Sequence, residues 1–239
     1  MKSFTSHEVQ LRSDEGIDFF MDGRLKLIQS KNGYRFSIDA VFLSEFVTIR
    51  PGDVVIDLGT GCGIIPLILL VTKPLGYAFG LEIQKELADQ AARNAVLNGF
   101  GDRMKIILGD VKHSSIKKKS ADVVICNPPY RKVNSGRINP DMRRAIARHE
   151  LLASVDDILS AASGILRKKG RVAMIYPAER LVDVLARMRR FSLEPKRVQI
   201  NYPDLKSGAK LVLIEASLGG KPGLDILPPL IGQGNFSVH

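Results

Sequence analysis

Apolar residues recur along this chain with two periods, and their alternation predicts the architecture. From residue 53 onward, short apolar runs of strand type alternate with longer stretches whose apolar positions fall three and four apart. The spacing predicts strands over 54–56, 77–83, 104–108, 123–126, 171–176, 197–201 and 211–216. It predicts helices over 64–72, whose first turn accommodates Pro66, over 85–98 with a stop at Asn98-Gly99, over 150–167 and over 178–190. Strand–helix alternation of this kind implies an α/β fold, a mostly parallel sheet with helices on both faces.

The first fifty residues read differently. Phe19-Phe20-Met21, Asp22-Gly23 and Arg24-Leu25-Lys26-Leu27-Ile28 predict a hairpin around an Asp-Gly turn, and Asn32-Gly33 a second turn. Ile38, Val41, Phe42, Phe46 and Ile49 have helical spacing within 36–49, and Pro51-Gly52 ends that helix. The expected organisation is a hairpin-and-helix extension over 1–50, a main domain over 51–218 and a loose Gly- and Pro-containing tail over 219–239.

Composition narrows the function classes. With 239 residues, 45 % of them hydrophobic, the chain can bury the core of one α/β domain. Lys and Arg number 35 against 25 Asp and Glu, a formal charge of +10. That balance fits either a soluble protein with solvated lysines or one with a polyanionic partner such as nucleic acid. The two cysteines, Cys62 and Cys126, lack CxxC or His-rich company, so no metal site is expected and both read as reduced apolar residues of a cytoplasmic protein. The N-terminus has no signal-type apolar core. The longest apolar run, 64–71, is too short to cross a bilayer and contains Pro66.

Candidate chemistry gathers at the predicted strand ends. Asp57-Leu58-Gly59-Thr60-Gly61-Cys62-Gly63 follows the first strand of the main domain and opens a helix. Its glycines let a ligand approach the backbone, although such a turn also serves as a tight connection. A dinucleotide fingerprint needs a glycine where Ile64 stands, and Asp57 would repel pyrophosphate while pairing with an ammonium. Glu82 closes the next strand, as an acid that binds ribose hydroxyls should, and Asp110 follows the third, where it could accept from an adenine amino group. Each acid alone is as well explained as a solvated strand-end residue or helix cap. Three at successive strand ends, beside a glycine loop, are harder to dismiss. After the fourth strand come Asn127-Pro128-Pro129-Tyr130: a polar side chain, two stiffening prolines and an aromatic face, suited to gripping a planar amino group. In isolation the same four residues would read as a rigid surface turn.

In this order and spacing, the glycine loop, Glu82, Asp110 and the Asn-Pro-Pro-Tyr tetrapeptide resemble the class I S-adenosylmethionine-dependent methyltransferases over roughly 53–217. The resemblance implies a Rossmann-like, seven-stranded sheet. It also implies a cofactor, S-adenosylmethionine, lying along Gly59, Gly61 and Gly63. Asp57 would then stand near its methionine end, Glu82 at the ribose and Asp110 at the adenine, with Ile83 and Val111 beside them. Asn127 to Tyr130 match the motif of amino-methyltransferases. By that likeness the Asn127 side-chain oxygen and the Pro128 carbonyl would accept from the amine, Pro129 would fix the loop and Tyr130 would stack on the base.

The tetrapeptide alone does not distinguish adenine N6, cytosine N4, guanine N2 or a glutamine amide. Lys31 to Ala40, the glycine loop with Ile64-Ile65, Glu82-Ile83-Gln84, Arg93-Asn94 and His149-Glu150 resemble the bacterial methyltransferases that modify N6 of adenine 37 in a valine tRNA. That resemblance implies a tRNA anticodon stem-loop as partner. The stretch 131–149 holds Arg131, Lys132, Arg137, Arg143, Arg144 and Arg148 against a single acid, Asp141. Arg131, Lys132, Arg143 and Arg144 are candidate phosphate contacts, although such a loop could equally serve a dimer. Lys117-Lys118-Lys119 would add to that field, or be merely solvated. The alternatives are methylation of DNA adenine or of a release-factor glutamine, or a non-catalytic RNA-binding protein on the same scaffold.

Overall fold

A computed structural model describes residues 9–31, 37–113, 115–128 and 153–232. The chain opens with an antiparallel hairpin, β1 (Glu15–Phe20) and β2 (Leu25–Ser30), in which Phe20 faces Leu25. Met21, Asp22 and Gly23 take positive φ angles of 55°, 54° and 79°, so the Asp-Gly turn forms where the sequence predicts it. The turn at Asn32-Gly33 falls outside the described residues; α1 covers Ile38–Phe46 with Ser37 as its N-cap, and stops before Ile49 and the Pro51-Gly52 expected to end it.

The main sheet then builds by strand–helix alternation: β3 (Val54–Leu58), α2 (Ile64–Thr72), β4 (Tyr77–Glu82), α3 (Lys85–Leu97), β5 (Met104–Leu108) and β6 (Ala121–Cys126). It continues with α4 (Val155–Ile165), β7 (Leu166–Pro177), α5 (Leu181–Arg190), β8 (Leu193–Tyr202) and β9 (Leu211–Leu218). The seven principal strands run in the order β8-β9-β7-β6-β3-β4-β5. Only β9 is antiparallel to its neighbours among these seven.

Alternating side chains of single strands feed two cores. Val55, Val123, Ile125, Ala173 and Ile175 face α1, α2 and the hairpin. Ile56, Val124, Cys126, Val172 and Met174 face α4 and α5. Both faces of the central strands are therefore buried, which is why their sequences are continuously apolar.

Further expectations change. The helix expected over 150–167 ends at Ile165, and the strand expected from 171 already begins at Leu166. The predicted helix over 178–190 divides into a 3-10 turn at Ala178–Arg180 and α5, because α5 begins only at Leu181. The tail is not loose throughout: β10 (Asp225–Ile226) and β11 (Leu230–Ile231) pair in parallel with β8, giving the main sheet nine strands among the described residues. Lys117 to Lys119 precede β6, whereas Asn127 follows it. Six extended residues hold the lysines roughly 20 Å from the tetrapeptide, at the opposite edge of the sheet. No described helix is long and apolar enough to cross a membrane.

Candidate active site

Parallel strands ending together place their C-terminal residues along one edge. Here β6, β3, β4 and β5 are adjacent, and Asn127, Asp57, Glu82 and Asp110 stand at or just beyond their ends. Three strand spacings separate the outer two, roughly 14 Å, room for an elongated ligand. The backbone ladder holds this line. Leu58 pairs with both Cys126 and Leu81, and the Gly109 N–H donates to the Glu82 carbonyl at 2.9 Å.

The loop between β3 and α2 is bonded from below. The Gly59 and Thr60 N–H groups both donate to the Leu81 carbonyl, at 2.9 and 3.0 Å. Gly61 N–H donates to Glu82 Oε2 at 2.9 Å, while Glu82 Oε1 accepts from Gln84 N–H at 2.9 Å. The buried Glu82 carboxylate thus clamps the loop to the start of α3. These three loop N–H groups are already engaged, so they do not form the open nest that holds a pyrophosphate. This is the physical reason a dinucleotide is disfavoured, and it agrees with the acid at position 57. Each Glu82 oxygen keeps a second lone pair for an outside hydroxyl.

The glycines do different work. Gly59 has φ +77° and open space where a Cβ would stand, so a ligand can lie against it. At Gly63, φ +85°, a Cβ would come within 2.6 Å of Met104 Cε and 3.2 Å of Ala91 Cβ; this glycine lets α2 pack against α3 and β5.

Asp57 is 1 % exposed, and among the described residues neither carboxylate oxygen has a hydrogen-bond partner. Burial, aided to a smaller degree by the charge of Glu82, pushes its pKa up to about 7 although the nearby Thr60 hydroxyl, short of hydrogen-bond geometry, acts the other way. A buried carboxylate without a partner is costly, and a donor or cation reaching it would relieve that cost. Asp110 is half-buried; Oδ1 accepts from Lys112 N–H at 2.9 Å and begins the 3-10 turn Val111–His113. Ile83 and Val111 are half-buried beside the two acids. Asn127 is half-buried and Pro128 buried. Pro129, Tyr130, Arg131, Lys132, Arg143 and Arg144 lie outside the described residues. Burial raises the Cys62 thiol to about 12 and raises Cys126 as well, so both stay protonated and unreactive.

Sequence reasoning quoted two side chains within longer motifs without giving either a role of its own. Thr60 lies against Gly80, where a Cβ would come within 2.6 Å of its methyl group, and its buried hydroxyl has no partner among the described residues. Asn94, fully buried on α3, donates to the Cys62 carbonyl at 2.9 Å. A polar residue on the apolar face of α3 was the available signal for Asn94; Thr60 carried none. Among the described residues, no group of His, Cys, Asp and Glu could hold a metal ion.

Comparison with known proteins agrees with this geometry. The family described as a methyltransferase domain matches residues 49–210. A Porphyromonas gingivalis protein named tRNA1(Val) (adenine(37)-N6)-methyltransferase is 33 % identical over 175 residues, covering 70 % of this chain and 68 % of its own. A predicted O-methyltransferase from Agrobacterium tumefaciens shares the fold at a TM-score of 0.65 and 21 % identity, over 81 % of this chain and 86 % of that one. M. jannaschii TYW2 in complex with AdoMet does so at 0.60 and 14 % identity, over 86 % of each chain. The unpartnered Asp57, the spare acceptor capacity of Glu82 and the open face of Gly59 fit S-adenosylmethionine, a cofactor with an ammonium, a ribose diol and no phosphate. The chain belongs to the class I S-adenosylmethionine-dependent methyltransferases.

Proposed function

We propose that this methyltransferase acts on an exocyclic amino group of an RNA base, adenine N6 at position 37 of a tRNA. The observation that carries the reading is Asn127-Pro128 at the end of β6, one strand from the unpartnered Asp57. Bound S-adenosylmethionine supplies an electrophilic methyl group on a sulfonium. Asp57 takes the cofactor's ammonium, Glu82 its ribose hydroxyls and Asp110 its adenine amino group, with Ile83 and Val111 against the ring.

An amine conjugated with a base ring is a weak nucleophile. The Asn127 side-chain oxygen and the Pro128 carbonyl accept from its two N–H bonds and favour the pyramidal form, whose lone pair points at the methyl group. Transfer of the methyl group from the sulfonium would leave positive charge on that nitrogen. Both acceptors therefore bind the transition state more strongly than the ground state. The excess proton then leaves to water, so no strong general base is needed. Tyr130 stacks on the base, a contact of about 1–3 kcal/mol.

Three features support RNA: the basic stretch after Tyr130, the formal charge of +10 and the name of the Porphyromonas gingivalis relative. Incubation with total tRNA and methyl-labelled cofactor, followed by digestion to nucleosides, should yield N6-methyladenosine. Label in N4-methylcytosine, or none in RNA, would overturn the substrate assignment.

A further inference from the structure

The side-chain amide of Asn94 is shared between two parts of the molecule. Its Oδ1 accepts from the Ile28 N–H at 2.7 Å. Its Nδ2 donates to the Ile28 carbonyl at 3.2 Å and to the Cys62 carbonyl at 2.9 Å. One turn further along α3, Asn98 repeats the first half of this pattern. Its Oδ1 accepts from the Lys26 N–H at 2.9 Å, and its Nδ2 donates to the Lys26 carbonyl at 2.7 Å.

Lys26 and Ile28 are alternate residues of β2, and their backbone groups point away from β1. Two asparagines spaced i, i+4 on a helix thus present the donor–acceptor pattern of a neighbouring strand, and the hairpin docks on them edge-on. Of the two, Asn94 alone also reaches the glycine loop. There the Cys62 carbonyl lies between Gly61, whose N–H is held by Glu82, and Gly63, which is packed against Ala91 of the same helix. With Asn94 fully buried, a broken bond on either side leaves an unpaired polar group away from water.

We propose that Asn94 is a positioning residue that couples docking of the N-terminal hairpin to the conformation of the cofactor loop. The proposal rests on the loop over 59–63 being the cofactor seat. A cofactor seated there fixes the Cys62 carbonyl, which fixes the Asn94 amide and tightens the Ile28 bonds; by reciprocity, a docked hairpin strengthens cofactor binding by the same factor.

The test uses the full chain, with S-adenosylhomocysteine as probe, calorimetry for affinity and amide exchange at Lys26 and Ile28 as the structural readout. In the wild type, the probe should slow exchange at Ile28. Asn94→Ala should bind it about tenfold more weakly, the loss of one buried hydrogen bond, and show no probe-dependent protection of Ile28. Asn98→Ala should speed exchange at Lys26 while its affinity stays within about twofold. Asn94→Asp keeps the acceptor for the Ile28 N–H but not the donor to Cys62, and should behave like Asn94→Ala; it replaces that variant if the alanine protein does not fold. Wild-type affinity in the Asn94 variants, or Ile28 exchange indifferent to the probe in the wild type, overturns the coupling. A wild type that binds no probe would instead remove the cofactor seat on which it rests.

Discussion

Burial of Asp57 without a partner works against folding, and this makes its charge readable in an experiment. Its folded pKa, about 7 against 3.8 in the open chain, corresponds to roughly 4 kcal/mol between the two protonation states. Between those values the folded protein keeps a proton that the unfolded chain has lost. Stability from this group therefore falls as pH rises, and the penalty is complete above about 7. Asp57→Asn should raise the unfolding free energy of the cofactor-free protein by about 1–3 kcal/mol at pH 8, and by less at pH 5. Denaturant titration at the two pH values checks this, and an equal gain at both would show that the charge is not the cause. The same variant should bind cofactor at least about a hundredfold more weakly, since a charge-assisted bond is lost. In the proposed mechanism, Asn127 belongs to the other half of the reaction. Asn127→Ala should lower kcat by at least about a hundredfold with cofactor affinity nearly unchanged, because it removes an acceptor that acts in the transition state. Single-turnover methyl transfer beside calorimetry separates the two effects, and unchanged turnover would end the proposed role.

Among the elements, the hairpin depends on α3 for more than apolar packing. Arg93 makes a two-pronged contact with Glu15 at 2.6 and 2.7 Å, and Glu15 is held down to about 2 chiefly by that bond. A carboxylate with a depressed pKa contributes stability above its open-chain value of 4.5 and loses it as pH falls toward 2. Arg93→Ala strands the buried Glu15 and should cost about 3 kcal/mol at pH 7. Urea unfolding should show a smaller cost at pH 3, and a cost independent of pH would mean that only packing was lost. Nothing in the hydrophobic pattern announces this attachment. Helix α2 was legible to the residue, because its apolar run is bounded by Gly63 and ends in a change to polar residues. The ends of β5 and β6 were legible too, and that of β4 to within one residue, whereas β3 runs two residues past the expected 56 and takes in Asp57. Bonds from side chain to backbone, such as those of Asn94, leave no period in the sequence. Nor do β10 and β11, two residues each, too short for a hydrophobic period to show. Only part of the dual service of Glu82 could be read: its place at a strand end, but not its grip on Gly61.

At the scale of the whole molecule, the formal charge of +10 is spread over more than one surface. Lys117, Lys118 and Lys119 are exposed before β6, and the exposed Arg167, Lys168 and Lys169 lie close by, since Ala121 pairs with Leu166. These cations stand at the amino edge of the sheet, with Arg167 already paired to Asp122 at 2.7 Å. Arg143 and Arg144 instead follow Asn127-Pro128-Pro129-Tyr130 in sequence. If RNA is held at the carboxyl edge, only the second group neutralises phosphates in the complex, and each neutralised phosphate adds about 0.7–0.9 to the slope of log affinity against log salt. Replacing Arg143 and Arg144 by Gln should therefore flatten the slope for tRNA by about one to two units. Replacing Lys117, Lys118 and Lys119 by Gln removes more charge but should leave the slope unchanged. Binding isotherms across a salt series compare the two variants directly. A slope that falls in the lysine variant and not in the arginine variant would move the RNA to the far edge of the sheet, out of reach of Asn127.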